Sequence, residues 1–155
     1  MQHANDTSTA SLLPEELLIL ANAHEGQEAR RYRLMALRFQ PFNTSISRLM
    51  DVLVLESQRR LEELKRINKR LFFVRLPANK TVCKTPVGQH PFFILDEQAA
   101  SRVFERMLSD EQHSRRLYEQ LLEANAIPEL TTLFGNFVDQ KLAQYHILEE
   151  ARERL

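Results

Sequence analysis

Apolar residues recur every three or four positions over four long stretches of the chain, and turn-forming residues separate the stretches. This pattern predicts four amphipathic helices. The first runs from about Glu15 to Phe39, with Pro14 at its entry, where a missing backbone N–H costs nothing. Its stripe is Leu18, Ala21, Glu25, Ala29, Tyr32, Ala36 and Phe39. Pro41-Phe42-Asn43 interrupts the pattern, and a second stripe follows through Leu49, Leu53, Glu56, Leu64, Ile67 and Leu71. So short a break predicts an antiparallel pair.

From Phe72 to Leu95 the helical period fails, because Pro77, Pro86, Gly88 and Pro91 punctuate short apolar runs. The segment reads as a long connection that crosses the length of the bundle and leaves the second and third helices parallel. Asp96 is the expected N-cap of a third helix through Phe104, Met107, Glu111, Tyr118 and Leu122. After the break at Asn125-Ala126-Ile127-Pro128, a fourth helix runs nearly to Leu155. Two tight hairpins joined by one crossover predict an all-α, ferritin-like, up-down-down-up four-helix bundle over residues 14–155, preceded by a polar tail at 1–13.

Composition narrows the class. A chain of 155 residues suits one domain that folds without disulfides or a structural metal. With 21 Lys+Arg against 21 Asp+Glu, the overall charge provides no pull toward nucleic acid or an acidic membrane, and neither is expected as a partner. Cys83 is the single cysteine, which fits a reducing, cytoplasmic setting. The first residues lack the basic start and apolar run of a secretory signal, and no apolar run is long enough to span a bilayer.

Polar residues interrupt the apolar stripes in a repeated frame. Leu18, Glu25, Tyr32 and Phe39 are successive sevenths in the first helix, as are Phe104, Glu111, Tyr118 and Asn125 in the third. Each of the two glutamates is followed by an arginine pair, Arg30-Arg31 or Arg115-Arg116, and then by tyrosine. An ionised carboxylate on a dry seam costs several kcal/mol unless it is paired, protonated or bound to a cation. The hydroxyls of Tyr32 and Tyr118 are suited to bond such carboxylates.

The stretch Ala23-His24-Glu25-Gly26-Gln27-Glu28-Ala29-Arg30-Arg31-Tyr32 resembles the first-helix ligand motif of the rubrerythrin branch of ferritin-like di-iron proteins. Leu55-Glu56-Ser57-Gln58-Arg59-Arg60-Leu61 stands in the place of its second-helix Glu-x-x-His, Glu111 to Tyr118 resembles the third motif, and Ala143-Gln144-Tyr145-His146 the last. The resemblance covers the four helices and implies a carboxylate iron site that oxidises Fe²⁺ with O₂ or peroxide. Of six usual ligands it leaves Glu25, Glu56, Glu111 and His146, with Asp139, one heptad before His146, as a substitute. Arg59 replaces the second-helix histidine and Ala143 the fourth-helix glutamate. Arg59 is thus expected inside, as a counter-cation to the glutamates. No rubredoxin-like cysteine quartet is present, so the peroxidase electron route of full-length rubrerythrin is not built in.

Against the metal reading stand plainer ones. Glu25 and Glu111 suit ordinary ion pairs, His146 a surface position, and His24 and His113 positions beside the seam facing solvent. Glu28 suits an exposed i, i+4 pair, and the arginine-rich stretch from Arg59-Arg60 to Arg70 a solvated face. The alternative function is a metal-free helical interaction protein, expected as a homodimer, with the aromatic crossover around Phe72-Phe73 and Phe92-Phe93 as a candidate contact surface.

Overall fold

The computed structural model describes residues 12–77 and 91–155. The crossover between 78 and 90, with Cys83, Pro86 and Gly88, and the tail at 1–11 lie outside the described residues. Four helices follow in order: α1 Pro14–Phe39, α2 Thr44–Leu71, α3 Glu97–Ala124 and α4 Pro128–Glu153. Proline opens α1 and α4. Side-chain caps open the other two: Asn43 accepts from the Ile46 N–H at 3.1 Å, and Asp96 from the Ala99 N–H at 2.7 Å.

α1 packs against α2, and α3 against α4, while α1 meets α3 and α2 meets α4 across the bundle. α2 and α3 therefore lie on a diagonal. At the start of α3, the Ile94 N–H donates to the Arg38 carbonyl at 2.9 Å, which sets that start beside the end of α1. Pro77, after α2, reaches Asn22 near the opposite end, with the Asn22 amide donating to its carbonyl at 3.5 Å. The connection thus traverses the bundle and leaves α2 and α3 parallel, giving the up-down-down-up order.

α2, α3 and α4 each face the core through positions that alternate four- and three-residue steps. In α2 these positions are Ile46, Met50, Leu53, Ser57, Arg60 and Leu64, and in α4 Leu130, Phe134, Phe137, Lys141, Gln144 and Leu148. Two apolar clusters result. One gathers Tyr32, Phe39, Met50 and Phe104 near the hairpin end of α1 and α2, and the other Leu17, Leu64, Phe134 and Phe137 near the opposite end. A layer of buried polar side chains lies between them.

Candidate functional site

α1 and α3 run antiparallel, so the repeated seven-residue frame meets its own copy. The Tyr118 hydroxyl donates to Glu25 Oε1 at 2.7 Å, and the Tyr32 hydroxyl donates reciprocally to Glu111 Oε1. Both carboxylates are fully buried. The sequence expectation of a duplicated glutamate–tyrosine seam is met, and the two halves form an internal pseudo-twofold pair.

The cations that face this pair come from α2 and α4. Arg60 Nε lies 3.0 Å from Glu25 Oε2, and Lys141 Nζ lies 3.1 Å from Glu25 Oε1, both cations being buried. These are charge contacts rather than aligned hydrogen bonds, since neither donor atom has a hydrogen-bond partner among the described residues. The rest of the Arg60 guanidinium is held by acceptors on both helices. It donates to Gln140 Oε1 at 3.0 Å, Ser57 Oγ at 3.3 Å and Gln144 Oε1 at 3.4 Å.

A second carboxylate group lies between α1 and α3. Glu28 is buried and accepts from Arg31, which also approaches Asp110 at 3.3 Å. His24 Nε2 is 3.6 Å from Glu28 and 2.6 Å from Ser114 Oγ, its ring edge-on to Tyr118. His24 and Glu28 therefore belong to the interior, whereas the sequence placed both toward solvent. They lie on the inner arc of α1 because a helix turn carries positions 24, 25 and 28 to one side.

The electrostatics split the two seam glutamates. Burial alone pushes the Glu25 carboxyl up, but Lys141 and Arg60 outweigh it and hold its pKa at about 2. Glu111 moves the opposite way: burial and the nearby Glu28 raise it against the pull of Lys141. Its Oε2 has no hydrogen-bond partner among the described residues. Burial, then the adjacent carboxylates, drives Tyr32 and Tyr118 well above the usual phenol range, so both stay neutral donors. Burial lowers His24.

Several expected site residues lie elsewhere. Arg59 is 71% exposed and pairs with Glu56 at 2.9 Å on the outer face, where Glu56 keeps 34% of its surface in solvent. His146 is 62% exposed, 3.9 Å from Glu149, and Asp139 and Ala143 are exposed on α4. The structure thus brings Glu25 and Glu111 together but leaves Glu56, His146 and Asp139 outside their layer. It also moves the internal cation from Arg59 to Arg60. The cause is register: the four-three alternation through Met50, Leu53 and Leu64 admits Ser57 and Arg60 and turns Glu56 and Arg59 outward. In α4 the same alternation admits Lys141 and Gln144.

The inward pairs Ser57/Arg60 and Lys141/Gln144 have the i, i+3 spacing of the Glu-x-x-His motif, but without its donor chemistry. Two basic side chains, Arg60 and Lys141, occupy space where a carboxylate metal site needs anionic or neutral ligands, and their charge repels a divalent ion at contact range. Among the described residues no group of three His, Cys, Asp or Glu side chains is arranged to hold a metal ion. The residues present do not fit a di-iron centre.

Neither a protein-family model nor a curated protein matches the chain. Among solved structures it is similar to CopM in the Cu(II)-bound form, with a TM-score of 0.59, 16% identity, and coverage of 89% of this chain and 93% of that one. At that identity the likeness is one of fold. It extends over nearly the whole length of both chains, as expected for a single four-helix bundle.

Proposed function

We propose that this chain is a metal-independent helical-bundle interaction protein, a ferritin-like relative of the rubrerythrin type whose core supplies its own cations. The observation that carries the reading is the pairing of Arg60 and Lys141 with Glu25 at 3.0 and 3.1 Å. Charge that a metal would otherwise balance is balanced by side chains, so folding needs no ion. The outward positions of Glu56 and His146 leave no complete ligand set for iron, and ferroxidase chemistry has no seat on these inward faces.

An interaction role fits the exposed apolar side chains at the hairpin end. Phe93 and Leu95 stand with Gln40 and Pro41 around a shallow hollow of about 310 Å³. A homodimer joined there is the assembly we propose. The metal question is tested by anaerobic titration of the full chain with Fe²⁺ and, because the structural neighbour binds copper, with Cu²⁺. No stoichiometric binding and no change in unfolding temperature are expected, whereas about one or two tightly held ions per chain would overturn the reading. Light scattering of wild type and Leu95→Asp checks the assembly, with a dimer expected only for the former.

A further inference from the structure

The neutral total charge conceals a segregated one. From Leu64 to Leu95 the sequence contains no acidic residue but carries Lys65, Arg66, Lys69, Arg70, Arg75, Lys80 and Lys84. The first five lie in described residues, and all five are exposed. None of them makes an ion pair among the described residues, although Glu63 and Glu129 share the groove between α2 and α4 with Arg66 and Arg70. Elsewhere on the bundle some arginines pair with acids on their own helix, as in Arg59–Glu56, Arg115–Glu119 and Arg154–Glu150, while others, such as Arg48 and Arg106, make no ion pair among the described residues. What sets the stretch from Leu64 to Leu95 apart is its lack of any acidic residue.

An apolar tip projects beside these cations. Phe73 is 79% exposed and adopts φ 54°, a left-handed conformation that disfavours a side chain bearing a β-carbon. The conformation is built in rather than loose. The Phe73 N–H donates to the Asn68 carbonyl at 2.8 Å, and the Asn68 side chain grips Val74 at both its N–H, 3.0 Å, and its carbonyl, 2.7 Å. Phe72 turns inward, and Leu71 stays partly open to solvent. Leu13, more than half exposed, opens α1 at the same end of the bundle. A fold that served stability alone would place glycine at 73 and would not hold a phenyl ring in water.

We propose that the end of α2 is a peripheral docking site for an anionic lipid bilayer, with Phe73 entering the interface and Lys65, Arg66, Lys69, Arg70 and Arg75 facing the headgroups. A compact cluster of Lys and Arg around exposed apolar side chains is the chemistry such a surface recognises. The apolar members are one exposed ring, Phe73, with aliphatic Leu71 and Leu13, rather than a row of aromatic platforms on which successive bases could stack, which favours lipid over nucleic acid. No described helix is long and apolar enough to cross a membrane, so contact is confined to the interface.

The test is co-sedimentation of the full chain with vesicles of equimolar phosphatidylglycerol and phosphatidylcholine, and with pure phosphatidylcholine vesicles. Binding to the anionic vesicles is expected, about tenfold or more tighter than to neutral ones and weakened by salt. Lys69→Glu/Arg70→Glu is expected to remove it. Phe73→Gly separates docking from packing: it relieves the left-handed strain, so thermal stability holds or rises, while vesicle binding weakens about fivefold or more. The proposal is overturned by equal binding to both vesicle types or by none. It is also overturned by a Phe73→Gly protein that is less stable or binds as well as wild type, or by a 20-mer oligonucleotide that competes the protein off the vesicles.

Discussion

Replacing Arg60 by alanine should destabilise the fold severely, and the structure sets the size. Among the described residues Arg60 is the largest fully buried side chain, and its Nε lies 3.0 Å from the Glu25 carboxylate. The Glu25 pKa falls from an ordinary 4.5 to about 2, a preference for the charged form worth about 3 kcal/mol that Lys141 and Arg60 share. Deleting Arg60 removes one of those cations and strands the Gln140, Ser57 and Gln144 acceptors, which its guanidinium now satisfies. It also leaves a cavity where the guanidinium stem was. Breaking a buried pair by removing one partner costs about 3 to 5 kcal/mol, or about 6 to 20 °C in Tm for a chain of this length. The neighbouring Arg59, on the outer face with a surface pair, should cost under about 0.5 kcal/mol when truncated. Urea unfolding of Arg60→Ala, Arg59→Ala and the Arg60→Ala/Glu25→Gln double variant tests this, the double variant recovering part of the loss because the stranded charge is gone. If Arg60→Ala loses less than about 1 kcal/mol, or Arg59→Ala loses as much, the internal ion layer does not hold the bundle together.

The two seam glutamates should respond to pH with opposite signs. Glu111, raised by burial, binds its proton more tightly when folded, so its part of the stability grows as pH falls toward 4.5, whereas the part from Glu25 is present above 4.5 and is lost as pH approaches 2. His24, lowered by burial, costs stability as pH falls through 6.5, so the informative quantity is the difference between wild type and Glu111→Gln, in which His24 cancels. That variant should melt higher at pH 8 and lose its advantage near pH 4.5, and a pH-independent difference would contradict the assignment. Tyr32→Phe and Tyr118→Phe should each cost about 1.5 to 3 kcal/mol, the worth of a hydrogen bond to a charged or strongly polar acceptor. In spectrophotometric titration, Tyr32 and Tyr118 should ionise only as the protein unfolds in alkali. Installing ligands at the inward positions, with Ser57→Glu, Arg60→His, Lys141→Glu and Gln144→His, should make folding depend on Fe²⁺, whereas Arg59→His with Ala143→Glu should leave Fe²⁺ binding unchanged. Anaerobic thermal melts with and without metal separate the two sets.

The sequence alone determined the four helices, their hairpin breaks, the Asp96 cap, the crossover and the glutamate–tyrosine frame at Glu25–Tyr32 and Glu111–Tyr118. Those features are local: periodicity, proline and asparagine act within a turn or two, and a seven-residue repeat keeps the same face whatever packs on it. Which polar residues of α2 and α4 turned inward was decided only by tertiary structure. Positions 56 and 57, or 59 and 60, differ by about 100° around the helix axis, and on a stripe broken by charge the sequence favours neither strongly. Extending the four-three alternation from Met50 and Leu53 to Leu64, and from Phe134 and Phe137 to Leu148, would have selected Arg60 and Lys141. An expectation of glutamate and histidine at the seam pointed instead to Glu56, His146 and Arg59. Packing resolved it, because the register that buries Ile46, Met50, Leu53 and Leu64 in α2 and Leu130, Phe134, Phe137 and Leu148 in α4 also brings two cations inside to meet Glu25.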